Sequence, residues 1–237
     1  MEPTWKTLPD GEAVAKAACK EIQSFAKKVL KRADVFKLVL AGGSTPKRTY
    51  QLLARSKTDF SRWRFYFGDE RCAAPGHGDR NSVMAWRNLF EPAAIPPEHV
   101  LAMPTELGPR QAAEEYRHVV IAAHPFDLVL LGMGPDGHTA SLFPGSLCKP
   151  ESLVVPVYGA PKPPPERVSL ADYPIRSATH RLVLVSGKAK ARAVRRWRRH
   201  GDVPIARVTE GVATTVLIDE GAASDDAQLP RYSPRPV

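Results

Sequence analysis

Phe36-Lys37-Leu38-Val39-Leu40-Ala41-Gly42-Gly43-Ser44-Thr45-Pro46 is the stretch on which the architecture turns. Its first six residues form an apolar run too short for a helix of its own, which predicts a strand buried on both faces. Two glycines break the run, and Pro46 falls in the first turn of a helix-like stretch that continues to about Ala54. The same order of strand, loop and helix recurs on either side. Residues 10–33 place Val14, Ala18, Ile22, Phe25 and Val29 at helical intervals behind a candidate Asp10 cap. Trp63–Phe67 predicts a second strand, ending at Gly68-Asp69-Glu70-Arg71. Helices are expected over 82–90 and from Gly108-Pro109 to about Ala123. Residues 126–131 (FDLVLL) predict a third buried strand, followed by a long loop over 132–146. Further strands are expected at 153–157, 167–170, 182–185 and 214–218. Buried strands alternating with amphipathic helices indicate the α/β class: a Rossmann-like, mainly parallel sheet with helices on both faces. One α/β domain is expected over residues 1–223, with a flexible C-terminal tail over 224–237.

Composition narrows the function classes. Of 237 residues, 43% are hydrophobic and 25% charged, an ordinary globular balance that excludes fibrous and disordered classes. The 23 prolines are about twice the usual share and cluster at 92–109, 144–165 and 230–236, which reads as loops. No apolar run approaches the roughly 18 residues of a membrane span, so no membrane partner is expected. Met1-Glu2-Pro3-Thr4-Trp5-Lys6 lacks the basic start and apolar core of a secretory signal. Cys19, Cys72 and Cys148 are widely spaced and odd in number, which argues against a disulfide framework or a zinc site and fits a reducing cytoplasm. Cys72 is expected to be a partly buried, inert thiol.

The net charge of +9 is concentrated in one place. Lys188, Arg192, Arg195 and Arg199 fall on one helical stripe, opposite Ala193, Val194 and Trp197. With no nucleic-acid-binding motif beside it, this stripe is read as a solvated face that steers anions, and no nucleic-acid partner is expected.

In open α/β sheets ligands bind beyond the carboxyl ends of the strands. Three polar, glycine-bearing segments lie there, at 42–45, 69–71 and 132–141, and are expected to converge on one crevice. Gly42, Gly43, Ser44 and Thr45 would aim backbone N–H groups and two hydroxyls at one point, which suits a phosphate or, equally, a capped tight turn. The segment matches neither the Walker A nor the dinucleotide fingerprint. In Gly134-Pro135-Asp136-Gly137-His138-Thr139, an acid stands two residues before a histidine able to titrate near neutrality. No second histidine or cysteine lies at ligand spacing, so no metal is expected. Ser141 lies outside any GxSxG elbow.

These residues resemble a known family. The run from Leu131 to Gly145 (LGMGPDGHTASLFPG), with Phe65 to Arg71 (FYFGDER) and Leu40 to Pro46 (LAGGSTP), is similar to the 6-phosphogluconolactonases. The likeness extends over about residues 10–219 and includes Arg167-Val168-Ser169-Leu170 and Val185-Ser186-Gly187-Lys188. It implies hydrolysis of 6-phospho-D-glucono-1,5-lactone in the oxidative pentose phosphate pathway, with no cofactor, by a chain expected to be a monomer or a weak dimer. Carried over residue by residue, it implies His138, Asp136, Arg71 and Asp69 as catalytic groups. Gly42, Gly43, Ser44, Thr45, Asn81, Arg167 and Lys188 are implied as substrate and phosphate contacts.

The related glucosamine-6-phosphate deaminases share the glycine turn and the Asp-Gly-His core. Their pattern has a carboxylate where this chain has Phe143 and an aromatic where it has Arg71. Two other readings are a deaminase-like sugar-phosphate isomerase and a non-catalytic sugar-phosphate sensor. Release of ammonia from glucosamine 6-phosphate would reveal the first, and salt-dependent DNA binding without hydrolysis the second. The chain departs from the family pattern at Asp79-Arg80-Asn81, where a cation replaces a serine, and at Ala171-Asp172-Tyr173-Pro174 after the 167–170 strand.

Overall fold

The computed structural model describes residues 1–224, so the tail expected over 224–237 lies, apart from Ser224, outside the described residues. Along the chain come β1 (Thr4–Leu8), α1 (Gly11–Val29), β2 (Phe36–Leu40), α2 (Ser44–Ala54), β3 (Trp63–Phe67) and β4 (Asp69–Arg71). Next are α3 (Asn81–Ala85), α4 (Pro109–Ala123), β5 (Leu128–Gly132), β6 (Val154–Val157), β7 (Arg167–Leu170) and α5 (Asp172–Arg176). The chain continues through β8 (His180–Val185), α6 (Ala191–Arg198), α7 (Pro204–Thr209), β9 (Thr214–Asp219) and α8 (Glu220–Ala223).

Six strands form a wholly parallel sheet in the order β1-β9-β8-β5-β2-β3. The α/β expectation holds. Strand β2 is followed outward by β3 on one side, while β5, β8 and β9 continue on the other, so the order reverses between β2 and β5. That reversal opens a crevice where the loops after the two strands diverge. The Asp10 cap is present: its carboxylate accepts the N–H of Ala13 at 2.8 Å. Along α1, Val14, Ala18, Ile22 and Ala26 are buried, as helical spacing requires.

Three features differ from the sequence expectations or were absent from them. The 153–157 and 167–170 strands do not join the parallel sheet. Together with Asp69–Arg71 they make a separate antiparallel sheet in the order β4-β7-β6. Gly68 is the pivot between the sheets: its N–H donates to Leu40 O in the large one, and its carbonyl accepts from Leu170 N in the small one. Secondly, β1 has no clear sequence signal, because only Trp5 and Leu8 of this edge strand are half-buried. Thirdly, the helix over 82–90 begins at Asn81 as α3 and widens at Trp86–Phe90 into a π-type turn.

Helix α6 buries Ala193, Val194 and Trp197 and exposes Arg192, Arg196 and Arg198, the last 4.4 Å from the ring centre of Trp5, while Arg195 is half-buried and Lys188 precedes the helix in a 3-10 turn. The thiol of Cys72 is pushed up to about 11, by burial first and then by Glu166 and Glu70, which keeps it protonated. Among the described residues no helix is long and apolar enough to cross a membrane.

Candidate active site

The three segments expected to converge do so. Gly42–Thr45 after β2, Asp69 and Arg71 after β3, and the 132–140 loop after β5 line one cleft of about 240 Å3, with Asn81, Lys162 and Lys190.

His138 and Asp136 form a closely bonded pair in the loop after β5. Nδ1 of His138 lies 2.5 Å from Asp136 Oδ1, which also accepts the backbone N–H of His138 at 3.2 Å. A carboxylate held this way keeps the imidazole proton on Nδ1 and leaves the Nε2 lone pair for chemistry. Burial works against the Asp136 charge, but the His138 imidazole and its hydrogen bonds outweigh it and hold the carboxyl below its usual range. The pair lies directly over Gly134, where a Cβ would sit 2.1 Å from His138 Cε1. Only glycine leaves that space. The Ser141 hydroxyl donates to Asp69 Oδ2 at 2.6 Å, so it serves Asp69 and is no nucleophile paired with the histidine.

Asp69 is buried and accepts both from Ser141 and, on Oδ1, from the Asn81 amide at 3.1 Å. This carboxylate shapes the cleft wall by holding two other side chains in place. Asn81 in turn packs on Gly42, where a Cβ would meet Asn81 Oδ1 at 2.2 Å. The unusual cation beside it is turned away. Arg80 is buried against Glu70, donates to Glu106 at 3.2 Å and to Met103 O at 3.0 Å, and leaves Asn81 facing the cleft.

Glu70 is a group that sequence reading overlooked. Fully buried, it accepts the N–H groups of Arg71 (2.9 Å), Asn81 (2.6 Å) and Ser82 (2.8 Å), thereby capping α3 from a distance. Arg71 lines the cleft. Its NH1 donates to Asp79 O at 2.7 Å, while its buried Nε has no partner among the described residues.

The end of the cleft beside the glycine turn is built differently from expectation. Gly43, at φ 108°, caps α2 without a side-chain bond, so Ser44 and Thr45 are its first two helical residues and their N–H groups open toward the cleft. Lys188 does not line the cleft. It starts a 3-10 turn, Lys188–Lys190, and the residue that reaches the cleft is Lys190. The cause is distant: Asp219 accepts from Ser186 Oγ and Gly187 N and sets how the turn leaves β8. Burial, opposed by Asp219 and reinforced by Lys162, holds the Lys190 amine below the usual lysine range. Arg167 is also displaced from its expected role. It is buried outside the cleft lining, and its Nε and NH2 donate to Pro164 O (3.0 Å) and Lys162 O (2.7 Å). Lys162 and Lys190, rather than the expected Arg167 and Lys188, are the lysines that line the cleft. Among the described residues no group of three His, Cys, Asp or Glu side chains is placed to hold a metal.

Comparison with known proteins bears on this geometry. The family model described as glucosamine-6-phosphate isomerases/6-phosphogluconolactonase matches residues 9–217. The chain is 36% identical to 6-phosphogluconolactonase 3, chloroplastic, of Arabidopsis thaliana over 199 residues, which are 76% of this chain and 61% of that longer one. It is 33% identical to the 6-phosphogluconolactonase of Mycobacterium leprae, covering 94% of this chain and 98% of that one. The crystal structure of 6-phosphogluconolactonase from Thermotoga maritima superposes with a TM-score of 0.84 at 30% identity, over 92% of this chain and 100% of that one. The glycine-turned parallel sheet, the Asp-Gly-His loop beyond β5 and the matched 9–217 span agree, and the chain belongs to the glucosamine-6-phosphate isomerase/6-phosphogluconolactonase family.

Proposed function

We propose that the protein hydrolyses 6-phospho-D-glucono-1,5-lactone to 6-phospho-D-gluconate, the lactone-opening step of the oxidative pentose phosphate pathway. One observation carries the reading. An imidazole with Nδ1 tied to a carboxylate shares a 240 Å3 cleft with a helix N-terminus flanked by two lysines. His138 Nε2 takes a proton from the water that attacks C1, and the carbonyl electrons move onto the oxygen. The Arg71 guanidinium, permanently charged, stabilises that oxyanion. Collapse expels the ring oxygen, which receives the proton from Nε2. The N–H groups and hydroxyls of Ser44 and Thr45, with Lys162 and Lys190, receive the phosphate. Phe143, with its ring centre 4.9 Å from that of His138, supports hydrolysis over deamination. It puts an apolar wall where the deaminase pattern has a second acid.

The direct test generates the lactone in situ from glucose 6-phosphate with a dehydrogenase and follows its disappearance in EDTA. Decay at the uncatalysed rate would overturn the assignment.

Two variants probe the parts. Gly134→Ala pushes the imidazole from its place and is expected to lower kcat about 100-fold, the cost of a misplacement near 1 Å. An unchanged kcat would separate Gly134 from the chemistry. Lys190→Ala is expected to raise KM about tenfold for the phosphorylated lactone, the worth of one charge-assisted hydrogen bond, and to leave KM for glucono-1,5-lactone alone. Because the Lys190 pKa is lowered, its charge is complete at low pH and is lost earlier than a free lysine's as pH rises. Calorimetric affinity for 6-phosphogluconate should fall through that alkaline window in the wild type but not in Lys190→Arg.

A further inference from the structure

Strands β4 and β7 are antiparallel, with Arg71 directly opposite Arg167. Cross-strand partners project from the same face of a sheet, so two arginine side chains leave it from opposed positions, a pairing of like charges that repels. Burial and Arg71 both lower the pKa of Arg167, while Asp69 opposes them. A buried cation beside another cation persists only where bonds hold it, and Arg167 has such bonds.

Its Nε and NH2 grip the carbonyls of Pro164 and Lys162, on the loop whose lysine faces the cleft. The same guanidinium carbon lies 5.7 Å from the ring centre of Phe143, and that ring stands against the His138 imidazole. One side chain outside the cleft therefore touches both the backbone that presents Lys162 and the wall behind the base. Resting on the cleft reading above, we propose that Arg167 is a positioning residue that sets the distance between the proton-transfer end and the phosphate end of the site. A lysine cannot replace it, because a point charge lacks the planar fork that spans two carbonyls.

The test is a double-mutant cycle of Arg167→Lys and Lys162→Ala, assayed on the phosphorylated and unphosphorylated lactones. Arg167→Lys is expected to raise KM for the phosphorylated lactone about tenfold and to leave KM for glucono-1,5-lactone unchanged. In the Lys162→Ala background the same substitution should add less than about twofold to KM, since its target is already gone. kcat should fall several-fold with both lactones as the Phe143 wall shifts. Equal KM effects on the two lactones, or full additivity with Lys162→Ala, would overturn the proposal and leave a merely structural arginine. If Arg167→Lys does not accumulate, Arg167→Gln, which keeps one amide donor, is judged by the same criteria. A wild-type protein without lactonase activity would refute the functional reading itself, whereas an active wild type with additive variants refutes only this inference.

Discussion

His138→Ala should lower kcat for the phosphorylated lactone by about 10²–10⁴-fold, corresponding to a barrier higher by about 3–5 kcal/mol. The magnitude follows from how little else in the cleft can take a proton. Asp136, which loses its imidazole partner in this variant, is a far weaker base than an imidazole, and Asp69 is buried with donors from Asn81 and Ser141 on its two oxygens. Phe143 offers no proton acceptor on the imidazole's flank. The helix N-terminus and the two lysines remain, so KM should change by less than about threefold while kcat falls, because binding and proton transfer are divided between separate groups. Single-turnover hydrolysis above the spontaneous background gives the measurement. A variant within a few-fold of wild type would show that water is activated elsewhere.

For Glu70→Ala the largest effect is on stability, a loss of about 3–5 kcal/mol read from the urea midpoint. Three backbone N–H groups and the buried Arg80 side chain, whose Nε lies 4.0 Å from Glu70, surround this carboxylate. Alanine leaves the three N–H groups without their acceptor and the buried Arg80 charge with only Glu106 and the Met103 carbonyl as partners. Against a typical domain stability of about 5–15 kcal/mol the loss is large. Activity should suffer as well, since the backbone of Asn81 is anchored by the same carboxylate. Glu70→Gln, which keeps one acceptor oxygen, should fall between the two. A loss under about 1 kcal/mol in Glu70→Ala would mean that water or a rearranged Arg80 replaces the missing bonds.

Much of the site was readable because it is local. Asp136 and His138 are two residues apart, and a loop that follows a buried strand must carry both to its carboxyl end. The same holds for Gly42 to Thr45, where an apolar run, a glycine break and a proline define strand, turn and helix within eleven residues. Glu70 was overlooked because its partners, Asn81 and Ser82, lie eleven and twelve residues away and are backbone groups that no side-chain pattern announces.

The cations show where local reading fails. Lys188 and Lys190 sit on one short turn, and only Lys190 lines the cleft; the start of that turn is tied to Asp219, about thirty residues further on. Lys162 lies in a proline-rich loop with no periodicity, and Arg167 presents it through a backbone carbonyl. Similarly, β4 is three residues long and acquires its identity only by pairing with β7, almost a hundred positions away.

Hydrophobic periodicity and turn chemistry act within a few residues, and they were enough to predict the parallel α/β sheet, the convergence of three loops on one crevice and the placing of Asp136 and His138 in one of those loops. Which lysines line the cleft, where the arginine on β7 points and how the small sheet stands apart depend on hydrogen bonds between segments far apart in the chain. Those bonds form only when packing excludes the water that would otherwise satisfy each group separately.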